Sequence, residues 1–145
     1  MSERATANEE LVRRFVAAYS DGRLEDALDL ATEDYRSEDV AALTGGVSEG
    51  KEAFAAVLRS IRGALPDVRE EILDLVASDD KVAFRIRATG HHTGGEWMGV
   101  PPAGALVSWE CLGIWFVRDG RLCGEVYLDD LPAIQACLRP EEAAG

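Results

Sequence analysis

Basic charge, metal-ligand spacing and long apolar runs are all scarce in this chain. Only 2 of its 15 basic residues are lysine, and they face 27 acids, for a net charge of −12. So acidic a chain, with no basic run, repels phosphate backbones and anionic lipid, which argues against nucleic acid and membrane surfaces as partners. No apolar stretch approaches the roughly 20 residues of a membrane span, and the start MSERATANEE has neither the charged nor the greasy region of a signal peptide. A cytoplasmic protein is expected. Three cysteines cannot all pair within the chain, and they read as small reduced core residues. The two histidines are adjacent, and no Cys-x-x-Cys or His-x-x-x-His spacing occurs. Nor is there a Gly-rich phosphate loop, a Ser-His-Asp set or a flavin signature. No cofactor or metal is expected.

What is present divides the chain by period. At 145 residues, one domain spanning 1–145 can bury a sizeable core. Leu11, Val12, Phe15, Val16 and Tyr19 recur at helical spacing, with residues before Asn8 expected to fray and Thr6 with Glu9 as a capping box. Gly22 lies where a helix ends. Leu24, Ala27, Leu28 and Ala31 mark a short second helix, and Asp34-Tyr35-Arg36 begins a short strand. Ser48 is placed to cap a third helix with the face Phe54, Val57, Leu58, Ile61 and Leu65. After Pro66 the period becomes two: a strand over Asp67–Ala77, a turn at Asp79-Asp80, then alternation through Val82, Phe84, Ile86 and Ala88. A glycine- and proline-rich connection, Gly90–Gly104, leads to a hairpin around Asp119-Gly120, and Leu131–Leu138 reads as a last helix with Pro132 in its first turn. Helices followed by a run of antiparallel strands predict α+β.

The hairpin register decides which side chains share a face. A two-residue loop pairs residues summing to 239 and mixes apolar with charged groups on both faces. A three-residue loop with a glycine bulge pairs them to 238. One face is then Leu112, Ile114 and Phe116 against Leu122, Gly124, Val126 and Leu128. The other is Trp109, Cys111, Gly113 and Trp115 against Cys123, Glu125, Tyr127 and Asp129. Only the second register sorts a greasy face from an aromatic, acidic one, and it is preferred here. The aromatic, acidic face suits a small-molecule pocket wall; a buried strand pair with its acids at the rim is the alternative. The wide apolar face opposite predicts a homodimer or higher homo-oligomer.

The Gly99-x-Pro101-Pro102 turn, the strand, the Asp-Gly turn, the second strand and the short terminal helix resemble the SnoaL-like polyketide cyclases of the NTF2-like superfamily. The Gly90–Gly94 run (Gly-His-His-Thr-Gly) fits the same pattern. The resemblance covers nearly the whole chain and implies an NTF2-like cone: N-terminal helices packed on a curved, mostly antiparallel sheet enclosing a pocket. It also implies a cofactor-independent cyclase acting on an apolar polyketide. The family's aldol cyclases carry a His on the penultimate strand and an Asp on the last, and the matching positions here are Gly113 and Tyr127. Neither can perform that proton transfer, so another ring closure is expected, Michael-type or pericyclic, in which holding the substrate in a reactive shape does much of the work.

Glu125, beside tryptophans, loses hydration, which raises its pKa towards the range of a general acid or base; a rim ion pair is the alternative. Tyr127 can polarise a substrate carbonyl or simply pack. His92 shares the parity of Val82 to Ala88 and can face inward as a second proton carrier, or it belongs to an exposed loop. Trp97, Met98, Trp109, Cys111, Gly113, Trp115, Phe84, Tyr19, Asp39 and Asp129 are candidates for the substrate wall. Asp39, or Glu38 beside it, comes from a segment, Ser37–Gly46, that closes over the pocket in proteins of this kind, with a solvated acidic loop as the alternative. Gly113, opposite Glu125 in this register, leaves room for substrate. Asp130 is expected to cap the last helix. The rivals within the fold are a hydroxylase-type relative, an epoxide hydrolase using Glu125 with Asp129, and a ketosteroid-isomerase-like proton shuttle. From another class, the rival is a non-catalytic binding or dimerisation module, which an inner face holding only apolar groups would favour.

Overall fold

A computed structural model describes residues 1–43 and 45–140. Helix α1 (Glu3–Ser20) begins earlier than its apolar stripe suggests, because Ser2 accepts a hydrogen bond from the Ala5 amide at 3.0 Å. That cap replaces the expected Thr6–Glu9 box and the expected fraying. The helix ends with Gly22 donating to the Tyr19 carbonyl and Arg23 to the Ala18 carbonyl, a Schellman closure. Helix α2 (Leu24–Leu28) is a short turn leading straight into β1 (Ala31–Asp39), longer than the expected strand around Tyr35. The short strand β2 (Val47–Glu49) takes up Ser48, so α3 (Lys51–Ala64) is preceded by Gly50 and has no side-chain cap. Within the Ser37–Gly46 segment, Thr44 lies outside the described residues.

Strands β3 (Arg69–Ala77), β4 (Lys81–His91), β5 (Leu106–Arg118) and β6 (Arg121–Asp129) precede α4 (Leu131–Leu138). Asp130 caps α4, accepting from the Ala133 amide at 3.2 Å. The six strands form one sheet in the order β2-β1-β6-β5-β4-β3, antiparallel except where β1 runs parallel to β6. This is the expected α+β cone, with α1 and α3 on the concave side. Phe15 stacks on Phe54 from α3 at 5.9 Å and meets the edge of Trp115 from β5 at 5.8 Å. Arg62 from α3 bridges the layers: its guanidinium donates to the carbonyls of Tyr19, Pro66 and Val68 and sits 5.0 Å over the Tyr19 ring.

The hairpin keeps the expected face sorting but not the expected register. Asp119 and Gly120 both have positive φ, 52° and 77°, the signature of a two-residue type I′ turn. Past Phe116 a bulge at Cys123 adds one residue to β6, and the pairing becomes Trp115 with Glu125, Gly113 with Tyr127, and Cys111 with Asp129. These pairs are two residues from the expected ones, so parity survives and the same side chains share each face. Two details change. Leu122, before the bulge, turns inward and is fully buried, instead of joining the outer apolar face. Cys123 is the bulged residue, not a member of the inner wall.

Candidate active site

The concave face encloses a partly open cavity of about 70 Å³. Helices α1 and α3 contribute Phe15, Tyr19, Phe54, Val57, Leu58 and Ile61; Val68 and Glu70 come from the third strand and its approach; Phe84, Ile86 and Ala88 from the fourth; Trp109, Cys111 and Trp115 from the fifth; and Glu125, Tyr127 and Asp129 from the sixth. Seven aromatic rings and three carboxyls therefore share one small space.

Register explains how each acid is held. Ser37 is the parallel partner of Glu125 across β1 and β6, and its hydroxyl donates to the Glu125 carboxylate at 3.1 Å. Burial pushes Glu125 up to about 8; the Ser37 bond opposes the shift, while the charges of Glu70 and Asp129 reinforce it. Trp109 donates its indole N–H to Asp129 at 2.8 Å. Burial raises the Asp129 carboxyl, against the pull of Trp109 and the Cys111 thiol. Glu70 faces inward in step with Val68 and Ile72, its backbone amide donating to the Ser20 hydroxyl at 2.9 Å. Burial and then Asp129 push it up to about 7, and Arg62 opposes them. The Cys111 thiol is raised by burial and by Asp129 and stays protonated. The phenols of Tyr19 and Tyr35 are raised chiefly by burial, and then by Glu70 and Glu125 respectively.

Of the residues expected from sequence, the fold brings Glu125, Tyr127, Trp109, Cys111, Trp115, Phe84, Tyr19 and Asp129 to the cavity. The other five lie elsewhere. His92 is buried beside the cavity, with Nε2–H donating to the Gly95 carbonyl at 2.8 Å, and its backbone pairs with Ala105 and Gly104. It braces the connection to β5 and does not face the acids. Trp97 stands behind the wall, meeting Trp109 at 5.8 Å and the edge of His92 at 6.5 Å. Met98 lies with Val100 and α4 residues around a separate surface groove. Asp39, although buried, is a neighbour of Tyr127 at the end of β1 and not a lining residue.

Gly113 is the fifth, and its expected role changes. It opens no room for substrate, because a Cβ there would come within 2.3 Å of the Val126 carbonyl and 2.7 Å of the Phe84 ring. The space is already taken by Phe84, which packs on Trp115 at 4.2 Å. Sequence reading missed Glu70. Its signal was phase: in a strand of period two it alternates in step with Val68 and Ile72, whereas Glu71 does not.

A curved mixed sheet closing over helices, with an aromatic cavity and carboxyls at its wall, defines an NTF2-like fold. More narrowly, the chain belongs to the SnoaL-like polyketide cyclase family, whose model matches residues 9–137. Solved structures agree in fold. A proposed SnoaL-like polyketide cyclase from Jannaschia sp. CCS1 is 24% identical, with 100% of this chain and 97% of that one covered and a TM-score of 0.83. IdmH, a proposed polyketide cyclase from Streptomyces antibioticus, is 26% identical over 90% of this chain and 96% of its own, with a TM-score of 0.78. AclR, a proposed hydroxylase from Streptomyces galilaeus, is 23% identical over 94% and 83% with a TM-score of 0.81. No curated protein matches the chain. Among the described residues no helix is long and apolar enough to cross a membrane, and no three His, Cys, Asp or Glu side chains cluster as a metal site.

Proposed function

We propose that this chain is a cofactor-independent cyclase that closes a ring in an apolar polyketide intermediate by a route other than the family's aldol reaction. The observation that carries the reading is the set of three carboxyls, buried Glu125 and Asp129 and half-buried Glu70, from two strands around one aromatic cavity. Glu125, with a pKa of about 8, holds its proton at neutral pH, and Glu70, at about 7, is divided between its two forms. Such a pair suits an acid and a base working in the same turnover. In a Michael-type closure, the carbon between two carbonyls gives its proton to Glu70. The carbanion attacks the far carbon of an enone, and the new enolate takes the proton of Glu125. Tyr127 hydrogen-bonds the carbonyl that becomes the enolate. The product is an isomer of the substrate, and so is that of a pericyclic closure.

The aromatic lining folds the chain for attack. At about 70 Å³ the cavity is well below the roughly 300–1,000 Å³ of most ligand sites, so it admits the reacting head while the rest of the chain lies at the mouth. The polar lining also weighs against a purely non-catalytic binding module. A homodimer formed through the outer apolar face of β5 and β6 belongs to the same reading.

The test is incubation of the purified protein with linear polyketides bearing a 1,3-dicarbonyl and an enone, followed by mass spectrometry and chromatography. A new species of unchanged mass whose NMR spectrum shows no new tertiary alcohol supports the reading, since an aldol addition also leaves the mass unchanged but creates one. A product lighter by one water would replace it with an aldol condensation, and the absence of turnover across the series would favour the binding module. Activity is expected to survive chelators.

A further inference from the structure

The cavity's charge is one-sided. Three carboxyls line it, and among the described residues no lining side chain is basic. The nearest cation that bears on them is Arg62, whose guanidinium is already committed to the carbonyls of Tyr19, Pro66 and Val68. A neutral carbonyl substrate needs one acid and one base. A third acid adds only mutual repulsion, unless a positive charge enters among them. The rest of the wall is chemistry that a cation favours: the π-faces of Phe, Tyr and Trp attract ammonium groups, most strongly where water is excluded. The Tyr35 hydroxyl interacts with both Glu125 and the Trp115 indole, so the wall around Glu125 is polar as well as aromatic.

We propose that the cavity selects a substrate whose reacting head carries a protonated amine, held between the carboxyls of Glu70, Glu125 and Asp129 and the aromatic wall. This rests on the reading of the cavity as the substrate site, and it narrows the substrate to a nitrogen-bearing intermediate. The groups that face these acids are Tyr19 from α1, Arg62 from α3, Ser37, Tyr35 and Asp39 from β1, Cys111 from β5 and Tyr127 from β6. None but Arg62 is cationic. An entering ammonium therefore favours ionisation of Glu70, while Glu125 keeps the proton it gives in the closure; binding releases protons near neutral pH, less so once pH exceeds about 7.

Isothermal titration with three probes of similar size tests this: benzylamine, benzyl alcohol and benzoate, each in two buffers of different ionisation enthalpy. Benzylamine is expected to bind about 10-fold or more tighter than benzyl alcohol, with proton release at neutral pH and affinity rising from about pH 6 to about pH 8. Benzoate is expected not to bind. Equal or tighter binding of the alcohol overturns the inference and leaves the cyclase reading standing. Binding of benzylamine without proton release overturns the role of the carboxyls. If none of the three binds, both the inference and the cavity as substrate site fail. A polyketide turnover assay run alongside separates the two readings.

Discussion

The two faces of the β5–β6 hairpin reverse the usual rule of polar outside and apolar inside. Its concave face buries Glu125 and Asp129 among tryptophans, while its convex face leaves Leu112 and Leu128 about half exposed, at 51% and 49%. Neither arrangement favours a lone folded chain. Desolvating a carboxyl costs stability, and an apolar patch on the outside invites association. The contrast teaches where to look for function: on the proposed reading, substrate binding offsets the cost of one face and a second copy that of the other.

The sharpest way to break the comparison is Glu125→Gln. It keeps size and removes the titrating group, and a loss of about 10²-fold or more in kcat is expected if Glu125 moves a proton. Its stability has a definite sign. Glu70 and Glu125 have folded-state pKa values raised from 4.5 to about 7 and about 8, so the folded chain holds more protons in between and its stability falls as pH rises through that window. Glu125→Gln removes one share of that fall. Its Tm should exceed that of the wild type at about pH 9 and converge with it near about pH 4. Full activity in this variant, with Trp109→Ala or Trp115→Ala inactive, would instead assign ring closure to shape alone.

Next in size is Gly113→Ala. The added methyl would meet the Val126 carbonyl at 2.3 Å and Phe84 at 2.7 Å, so a loss of about 1–3 kcal/mol is expected in urea unfolding. An unchanged midpoint would show that the concave wall is looser than described. On the convex face, Leu112→Lys with Leu128→Lys should shift sedimentation from dimer to monomer while leaving single-site affinity for ligand alone. A wild-type protein that is monomeric at micromolar concentration would remove the dimer outright. The smallest expected effect is Trp109→Phe. Losing the indole donor costs Asp129 one hydrogen bond, about 1 kcal/mol, and raises its pKa further. A few-fold fall in activity is expected, with the alkaline limb of the pH profile, set by Glu125, displaced downward because a protonated Asp129 no longer raises it.

Sequence alone disclosed both faces of the hairpin but misjudged the pairing. Parity is insensitive to a slip of two, so Glu125, Tyr127 and Asp129 were placed together correctly even though the Cys123 bulge was not foreseen. A bulge in mid-strand leaves little trace in a pattern of period two, and the inward turn of Leu122 went unseen for the same reason. The terminal helix and its Asp130 cap were legible because capping is local. His92 was correctly given an inward parity, but parity does not say what fills the space next to it, and the answer was the Gly95 carbonyl. Glu70 was overlooked because a lone acid in an acid-rich strand looks solvated until its phase is compared with Val68 and Ile72.

The order in which the chain is made gives the parallel pairing of β1 with β6 a further meaning. Strand β1 leaves the ribosome early, yet its inner neighbour in the sheet is the last strand to emerge. Until β6 arrives, Tyr35 and Ser37 have nothing on that side to close against, and Glu125 does not yet exist in the growing chain. Closing so distant a contact is slow relative to local hairpins, so the acid wall is completed only once β6 has emerged. A truncated chain lacking β6 would hold helices and two hairpin partners but no cavity, with sheet edges exposed to mispairing.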